Sequence, residues 1–369
     1  MTLNPRKIEF FNRESETAEI KNILESEPRL ITFIYGPINS GKTSLIMNLI
    51  EDLPKDYVVF YVNLRETVIA SYKDFIETLF DTDFEEEKRK TKIKEFIPDV
   101  IEGIKVLSGV PIPAEIFKKI FKEEKPKNAF KYILKIIYEV RKKGKNPVFI
   151  IDELQKIGDV KVDSYLIYDV FNFFIRLTKE LHVCHVFALS SDSLFIEKVY
   201  SEAMLPGRAR YLLVDDFDSE ITKKFLGNYG FSKDEQRIAY DYFGGKPGYL
   251  IEAVEAKVNG KNIKEAILTI LNTRKGEIQT TLNRVKQLGD QVMIGDDMHK
   301  VDYNLLAGTL SKFKEKHYIN TMEADEITKT YLVKKNLLFV DPVKNIIKPQ
   351  SKIDLVAVRE ILGELNTAG

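Results

Sequence analysis

Leu30-Ile31-Thr32-Phe33-Ile34-Tyr35-Gly36-Pro37-Ile38-Asn39-Ser40-Gly41-Lys42-Thr43-Ser44 is the stretch whose reading decides the fold. Its first six residues form an apolar, β-rich run of strand length. After Lys42 the apolar period changes, and Leu45, Ile46, Leu49 and Ile50 mark one face of a helix that stops near Pro54. Between the two lies Gly36–Thr43, which fits the pattern G-x-x-x-x-G-K-[ST]. Gly36 and Gly41 let the backbone turn and approach a ligand closely. The N–H groups of Pro37-Ile38-Asn39-Ser40 (Pro37 excepted), Gly41, Lys42, Thr43 and Ser44 are then expected around phosphate oxygens at the positive end of a helix. In this reading Lys42 reaches the β- and γ-phosphates and Thr43 ligates Mg²⁺, so ATP or ADP with Mg²⁺ is the expected ligand.

Working outward, Tyr57–Val62, Pro147–Ile151, His182–Leu189 and Arg210–Val214 are further buried-strand runs, separated by helical patterns at 72–80, 129–141 and 165–181. Strands alternating with helices predict an α/β fold: a parallel, five-stranded sheet covered on both faces. Residues 81–127 break this rhythm with a charge-dense stretch, Asp83–Lys94, a helical pattern and the break Gly109-Val110-Pro111-Ile112-Pro113. They predict a helical insertion, either a solvated hairpin or a partner surface. From Asp218 the strands stop. Helices fill 218–275 around Gly244-Gly245-Lys246-Pro247-Gly248, and 276–369 ends in a helix at 324–335 followed by Leu337–Val340 and Ile346-Ile347. This predicts three parts: a nucleotide-binding core at 1–217, a helical lid at 218–275 and a winged helix at 276–369.

The apolar run before Asp152-Glu153 brings two carboxylates to a strand end. Asp152 is placed to hold Mg²⁺ and Glu153 to polarise a water attacking the γ-phosphate, although such a pair can equally cap the following turn. Ser190, past the fourth strand, is a candidate bridge between that water and phosphate, or a hydroxyl bonding its own backbone. Arg208, before the last strand, is a candidate for stabilising transition-state charge in cis or on a neighbouring copy, or a surface ion pair.

Together these residues resemble a family. The order Phe11-Asn12-Arg13-Glu14, P-loop, Asp152-Glu153, Ser190, Gly207-Arg208 and Gly244-Gly245-Lys246-Pro247 is similar to that of archaeal ATPases of the AAA+/STAND group, over roughly residues 9–275. The resemblance implies that Phe11, Asn12 and Arg13 line the adenine side, that Pro247 brings the lid onto the nucleotide, and that a winged helix follows. Ser190 falls at the sensor position, where Ser190-Ser191-Asp192-Ser193 replaces the usual Thr/Ser-Gly-Ser. It also implies an ATP-driven switch with slow hydrolysis, in which oligomers are open. The alternative is a DNA-acting ATPase resembling archaeal replication initiators.

Composition narrows the field. The 56 basic and 56 acidic residues cancel, so binding to nucleic acid needs a local basic patch. Lys329, Lys334, Lys335, Lys344, Lys348 and Lys352 supply a moderate one, offset by Glu323, Asp325 and Glu326 at the helix start, so duplex DNA and a protein partner both stay open. One cysteine, Cys184, excludes an internal disulfide and a cysteine-based zinc site. No apolar run approaches membrane length, and the start Met1–Lys7 lacks an apolar signal core, so a cytoplasmic protein is expected. The 30% charged content suits ion-pair networks at high temperature.

Overall fold

The computed structural model describes residues 8–82, 105–162, 164–201 and 204–367. The alternation of apolar runs with amphipathic helices folds as a doubly wound α/β domain. Its strands are β1 (Ile31–Tyr35), β2 (Tyr57–Asn63), β3 (Val106–Ser108), β4 (Asn146–Asp152), β5 (His185–Ser190) and β6 (Ala209–Leu213). They form one sheet in the order β3-β2-β4-β5-β1-β6, and every pairing is parallel. All five residues of β1 and all six of β5 are buried, as strands covered on both faces must be.

Period-two alternation divides β1 between two cores. Ile34 packs with Ile20, Ile23 and Leu24 of α1 (Glu14–Glu25) and with Leu45, Ile46 and Leu49 of α2 (Lys42–Asp52). Ile31, Phe33 and Tyr35 face the opposite side. There they meet the buried faces of α3 (Tyr72–Leu79), α4 (Ala114–Glu123), α5 (Pro126–Lys142) and α6 (Leu166–Ile175). The sheet thus has six strands among the described residues, not five. The sixth, β3, comes from the segment expected to be a helical insertion. There Val106–Ser108 pairs with Val59–Tyr61, and Val110–Pro111 pairs with Phe80–Asp81. Among the described residues of this segment, α4 keeps the helical character. The expected helix within 83–104 lies outside the described residues.

Past β6, α8 (Ser219–Asn228), α9 (Lys233–Phe243) and α10 (Pro247–Val258) follow α7 (Ser193–Ser201) and form the helical segment expected to act as the lid. The next helix, α11 (Ile263–Leu288), is 26 residues long and runs unbroken through position 275. The lid and the C-terminal part therefore share a helix, and they also share one hydrophobic core that joins Phe225, Phe243, Leu250, Ile278, Phe313, Tyr331 and Val340. The C-terminal part continues with an antiparallel hairpin of β7 (Gln291–Ile294) and β8 (Asp297–Lys300), which sequence periodicity did not mark. Then come α12 (Tyr303–Ser311), β9 (Ile319–Asn320), α13 (Glu326–Lys334), β10 (Leu338–Asp341), β11 (Ile346–Pro349) and α14 (Lys352–Thr367). Strands β9, β11 and β10 form a three-stranded antiparallel sheet. The C-terminal part thus runs helix, strand, helix, hairpin and a closing helix.

The helix expected to present basic side chains presents Lys334 and Lys335 but not Lys329. Thr328 through Val333 are all buried in α13. Lys329 is buried and lies 2.8 Å from Glu197 and 2.7 Å from Glu326. Lys334 donates to the Met293 carbonyl (2.7 Å), and Lys335 lies 3.7 Å from Asp290. A helix buried from Thr328 to Val333, with Lys329 paired inward, leaves little more than its last turn open to a groove. Among the described residues no helix is long and apolar enough to cross a membrane.

Gly245 fixes the lid on the core. A Cβ there would stand 1.7 Å from the Phe217 carbonyl oxygen, while the Gly245 carbonyl accepts from the Phe217 N–H at 2.9 Å. A Gly245→Ala substitution is expected to lower the unfolding free energy by about 1–3 kcal/mol or more through overpacking against rigid backbone. Urea denaturation of the full chain, scored at the midpoint, measures this.

Candidate functional site

The loop after β1 folds over the end of the sheet as its glycines permit. Gly36 has an extended φ of 159°, and a Cβ on it would meet the Val214 carbonyl oxygen at 2.1 Å, so only glycine fits. Gly41 opens α2 from a left-handed φ of 91°. Ser40 and Lys42 are buried, whereas Thr43 and Ser44 are exposed at the head of the helix. The Lys42 ammonium donates to the carbonyls of Pro37 (2.9 Å) and Gly36 (3.0 Å). Burial, seconded by the nearby charge of Lys246, brings its pKa down to about 8.

Asp152, at the end of β4, faces the head of α2. Its Oδ2 accepts from the hydroxyls of Thr43 (2.8 Å) and Tyr61 (3.0 Å). The ring hydroxyl of Tyr61 is held protonated by burial and by the Asp152 carboxylate. Oxygen donors of this kind fit a hard divalent cation such as Mg²⁺. Among the described residues no cluster of three or more His, Cys, Asp or Glu could hold a metal, so most of the coordination shell would have to come from phosphate and water.

Glu153 follows in a left-handed conformation, with φ at 62°, an uncommon state for a residue with a long side chain. Its buried carboxylate pairs with the Arg65 guanidinium. It also accepts from Gln155 Nε2 (2.6 Å) and from the Ser191 hydroxyl (3.1 Å). Ser190 donates to Gln155 Oε1 (2.8 Å) and accepts from the Asp192 N–H (3.1 Å). Ser190 is thus joined to Glu153 through one amide, while it also bonds the local backbone.

The N-terminal box and the lid close the other side. Arg13 is buried and donates to the carbonyls of Ser40 (2.8 Å) and Asp215 (2.6 Å), with its guanidinium 4.6 Å from the Phe217 ring centre. Phe11 packs edge-on against Phe217 and Phe225. Phe11, Arg13, Ser40, Gly41, Thr43, Ser44, Phe217 and Pro247 surround a cavity of about 590 Å³. Asn12 does not line it; it opens instead onto a neighbouring depression with Glu14 and Lys224. Asn39 is covered by the lid, since a Cβ on Gly248 would stand 3.1 Å from its Cβ.

Arg208 is not brought to this site. Strand β6 runs parallel to β1 with Ala209 beside Ile31 and Leu213 beside Tyr35, and the Arg208 carbonyl accepts from the Ile31 N–H. Arg208 therefore sits at the start of β1, roughly 16 Å down the strand from Gly36 at ~3.3 Å per residue. Its exposed guanidinium donates to the Met204 carbonyl (2.7 Å). A role in cis is ruled out by this placement.

Four participants were not singled out from the sequence. Arg65 and Gln155 hold Glu153. Lys246 is buried, donates to the Ile38 carbonyl (3.1 Å) and lies 3.1 Å from Asp216. Gln350, from the C-terminal part, accepts from the Ile38 N–H through Oε1 (3.3 Å). Only Lys246 carried a local signal, in Gly-Gly-Lys-Pro.

Comparison with known proteins agrees with this geometry. Residues 10–253 match the family described as an ATPase domain predominantly from Archaea, and 264–362 match the C-terminal domain of ATP-binding proteins like MJ1010. The chain is 47% identical to the ATP-binding protein MJ1659 of Methanocaldococcus jannaschii, covering 98% of this chain and 99% of that one. It is 45% identical to the ATP-binding protein PYRAB06260 of Pyrococcus abyssi, covering 96% and 98%. The solved structure of the Walker-type ATPase of Pyrococcus abyssi matches with a TM-score of 0.63 at 16% identity, covering 95% of this chain and 96% of that one, which shows a shared fold. The chain belongs to the archaeal ATPase family.

The buried ammonium gives a pH signature. Lys42 in the folded chain loses its proton near pH 8, whereas an unfolded lysine holds it to about 10.4. Between these values the unfolded state binds more protons, so stability contributed at this site rises with pH across that window and is level below it. Lys42→Met should flatten the rise, as measured by urea unfolding of both proteins at pH 7, 9 and 10.

Proposed function

We propose that this chain is a Mg²⁺-dependent ATPase that works as a molecular switch, its lid and C-terminal part responding together to the nucleotide. One observation carries the reading: the same loop residue, Ile38, is held from both sides. Its carbonyl accepts from Lys246 of the lid motif, and its N–H is taken by Gln350 of the C-terminal part. A phosphate entering the loop competes directly with contacts that hold the two distal parts in place.

Within the site, Lys42 leaves the carbonyls of Gly36 and Pro37 to contact the β- and γ-phosphates, while the backbone N–H groups from Asn39 to Ser44 surround them. Thr43 and Asp152 would hold Mg²⁺, which supplies neutralisation of phosphate charge when bound. Glu153 orients and polarises the attacking water. Arg65, Gln155 and Ser191 engage that carboxylate, which supports slow turnover until they let go. Ser190 acts through Gln155, as a positioning residue. The base lies against Phe11 and Pro247. Arg208, at the far end of the sheet, serves only the site of a second copy in an assembly.

The output is a protein contact. The docking of the C-terminal part on the core is polar as well as apolar. The Tyr35 hydroxyl donates to Asp341 (2.8 Å), Lys348 lies 2.6 Å from Asp215, and Phe339 stacks on Tyr35. Such a joint can be released without exposing a wholly apolar face. Two lysines of the expected basic edge, Lys329 and Lys348, are paired with Glu197 and Asp215, which thins the basic surface open to a duplex and favours a protein partner over DNA.

Two measurements test the reading. Glu153→Gln should retain ATP affinity and lower steady-state hydrolysis about a hundredfold; undiminished turnover removes Glu153 as the base. Gln350→Ala should uncouple the C-terminal part, so that limited proteolysis of the 276–369 region no longer differs between ATP-bound and free protein. A difference as large as in the parent chain would refute the coupling through Gln350.

A further inference from the structure

The Tyr61 hydroxyl bonds a carboxylate of the site, not the backbone. Tyr61 lies on β2 opposite Ile150 of β4, and Asp152 stands two residues further along β4 on the same face. Its ring packs against the core that α2 shares with β4, which holds Leu45, Leu49, Val148 and Ile150. A phenol inside such a core needs an acceptor, and this one donates to Asp152 Oδ2 at 3.0 Å.

Asp152 is buried and takes three neutral donors. Oδ2 accepts from Tyr61 and from Thr43 (2.8 Å), and Oδ1 accepts from the Glu153 N–H (2.9 Å). Among the described residues, no lysine, arginine or histidine forms an ion pair with it. Burying an anion without a cation is costly. A carboxylate held by neutral donors alone, beside a phosphate-binding loop, therefore suits a cation that arrives with the ligand. The three bonds also pin the carboxylate, since they reach it from β2, from the head of α2 and from its own chain.

The direction of these bonds decides what Thr43 can offer. A hydroxyl has one proton and two lone pairs, and an ionised carboxylate can only accept. Thr43 therefore turns its proton to Asp152 and keeps its lone pairs free for a hard cation. If Asp152 swung away, the Thr43 hydroxyl would rotate and present its proton to the cation instead. Holding Asp152 in place is what keeps Thr43 an oxygen ligand.

We propose that Tyr61 is a positioning residue for the metal: it fixes the Asp152 carboxylate that takes the Thr43 proton, and so keeps the Thr43 lone pairs available to Mg²⁺. The proposal rests on the reading of Thr43 and Asp152 as the Mg²⁺ residues.

The test reads nucleotide affinity, so turnover does not enter. The imido analogue of ATP, which resists hydrolysis, is titrated calorimetrically into the full chain in EDTA and in Mg²⁺. The ratio of the two affinities is the gain due to metal. Tyr61→Phe keeps the packed ring and deletes the donor. It should leave the affinity in EDTA within about twofold of the parent and cut the metal gain by about tenfold. Tyr57→Phe is the control, because it makes the same change on the same strand to a hydroxyl that donates to the Leu24 carbonyl (3.2 Å). Its metal gain should match the parent. Equal loss of affinity with and without metal in Tyr61→Phe marks a purely structural role and overturns the proposal, as does an equal drop in gain in Tyr57→Phe. A parent chain with no gain from Mg²⁺ overturns the reading of Thr43 and Asp152 and the proposal with it. A parent gain that Tyr61→Phe leaves untouched overturns Tyr61 alone.

Discussion

The structure turns on a buried ammonium. Lys42 must be available to phosphate yet sheltered from water, and burying such a charge is costly unless oxygen partners surround it. The loop supplies them from its own backbone, which requires Gly36 to lie flush against Val214 and requires α2 to start at Gly41. The sheet order follows from the same need. With β1 flanked by β5 and β6, and β4 one strand further, the loop, Asp152 and Ser190 all emerge at one edge of the sheet. Arg13, Lys246 and Gln350 then brace that loop from three separate parts of the chain.

The core of this arrangement was legible in the sequence because its signals are local. The change from strand to helix period across Gly36–Thr43, and the apolar run before Asp152, each lie within a dozen residues. Hidden features depend on distance or on weak patterning. Strand β3 is three residues long with only Leu107 buried, so its composition reads as loop. The β7–β8 hairpin is mostly exposed and carries little apolar alternation. Gln350 stands 312 residues from Ile38, and nothing near position 350 marks it.

The basic face expected on α13 is reduced for a related reason. Lys329, Lys334 and Lys335 sit at spacings that look like a free positive stripe. Each is claimed by a partner outside its own helix: Glu197 of the core, the carbonyl of Met293, and Asp290. Charge patterning reports which residues could face solvent, and tertiary packing decides which do. The same holds for Arg208, whose place before the last strand is right for its motif but whose end of the sheet is the wrong one for its own loop.

Helix α11 gives the molecule a mechanical property. At 26 residues it is about 39 Å long, and both the lid and the C-terminal part pack on it through one continuous core. A shared core resists bending between the two, so any tilt of the lid would carry the C-terminal part with it. A tilt of only ~10° carries the far tip of a 39 Å rod through about 7 Å. In the proposed switch, a small rearrangement around a phosphate would be magnified by leverage alone into a displacement another macromolecule could sense.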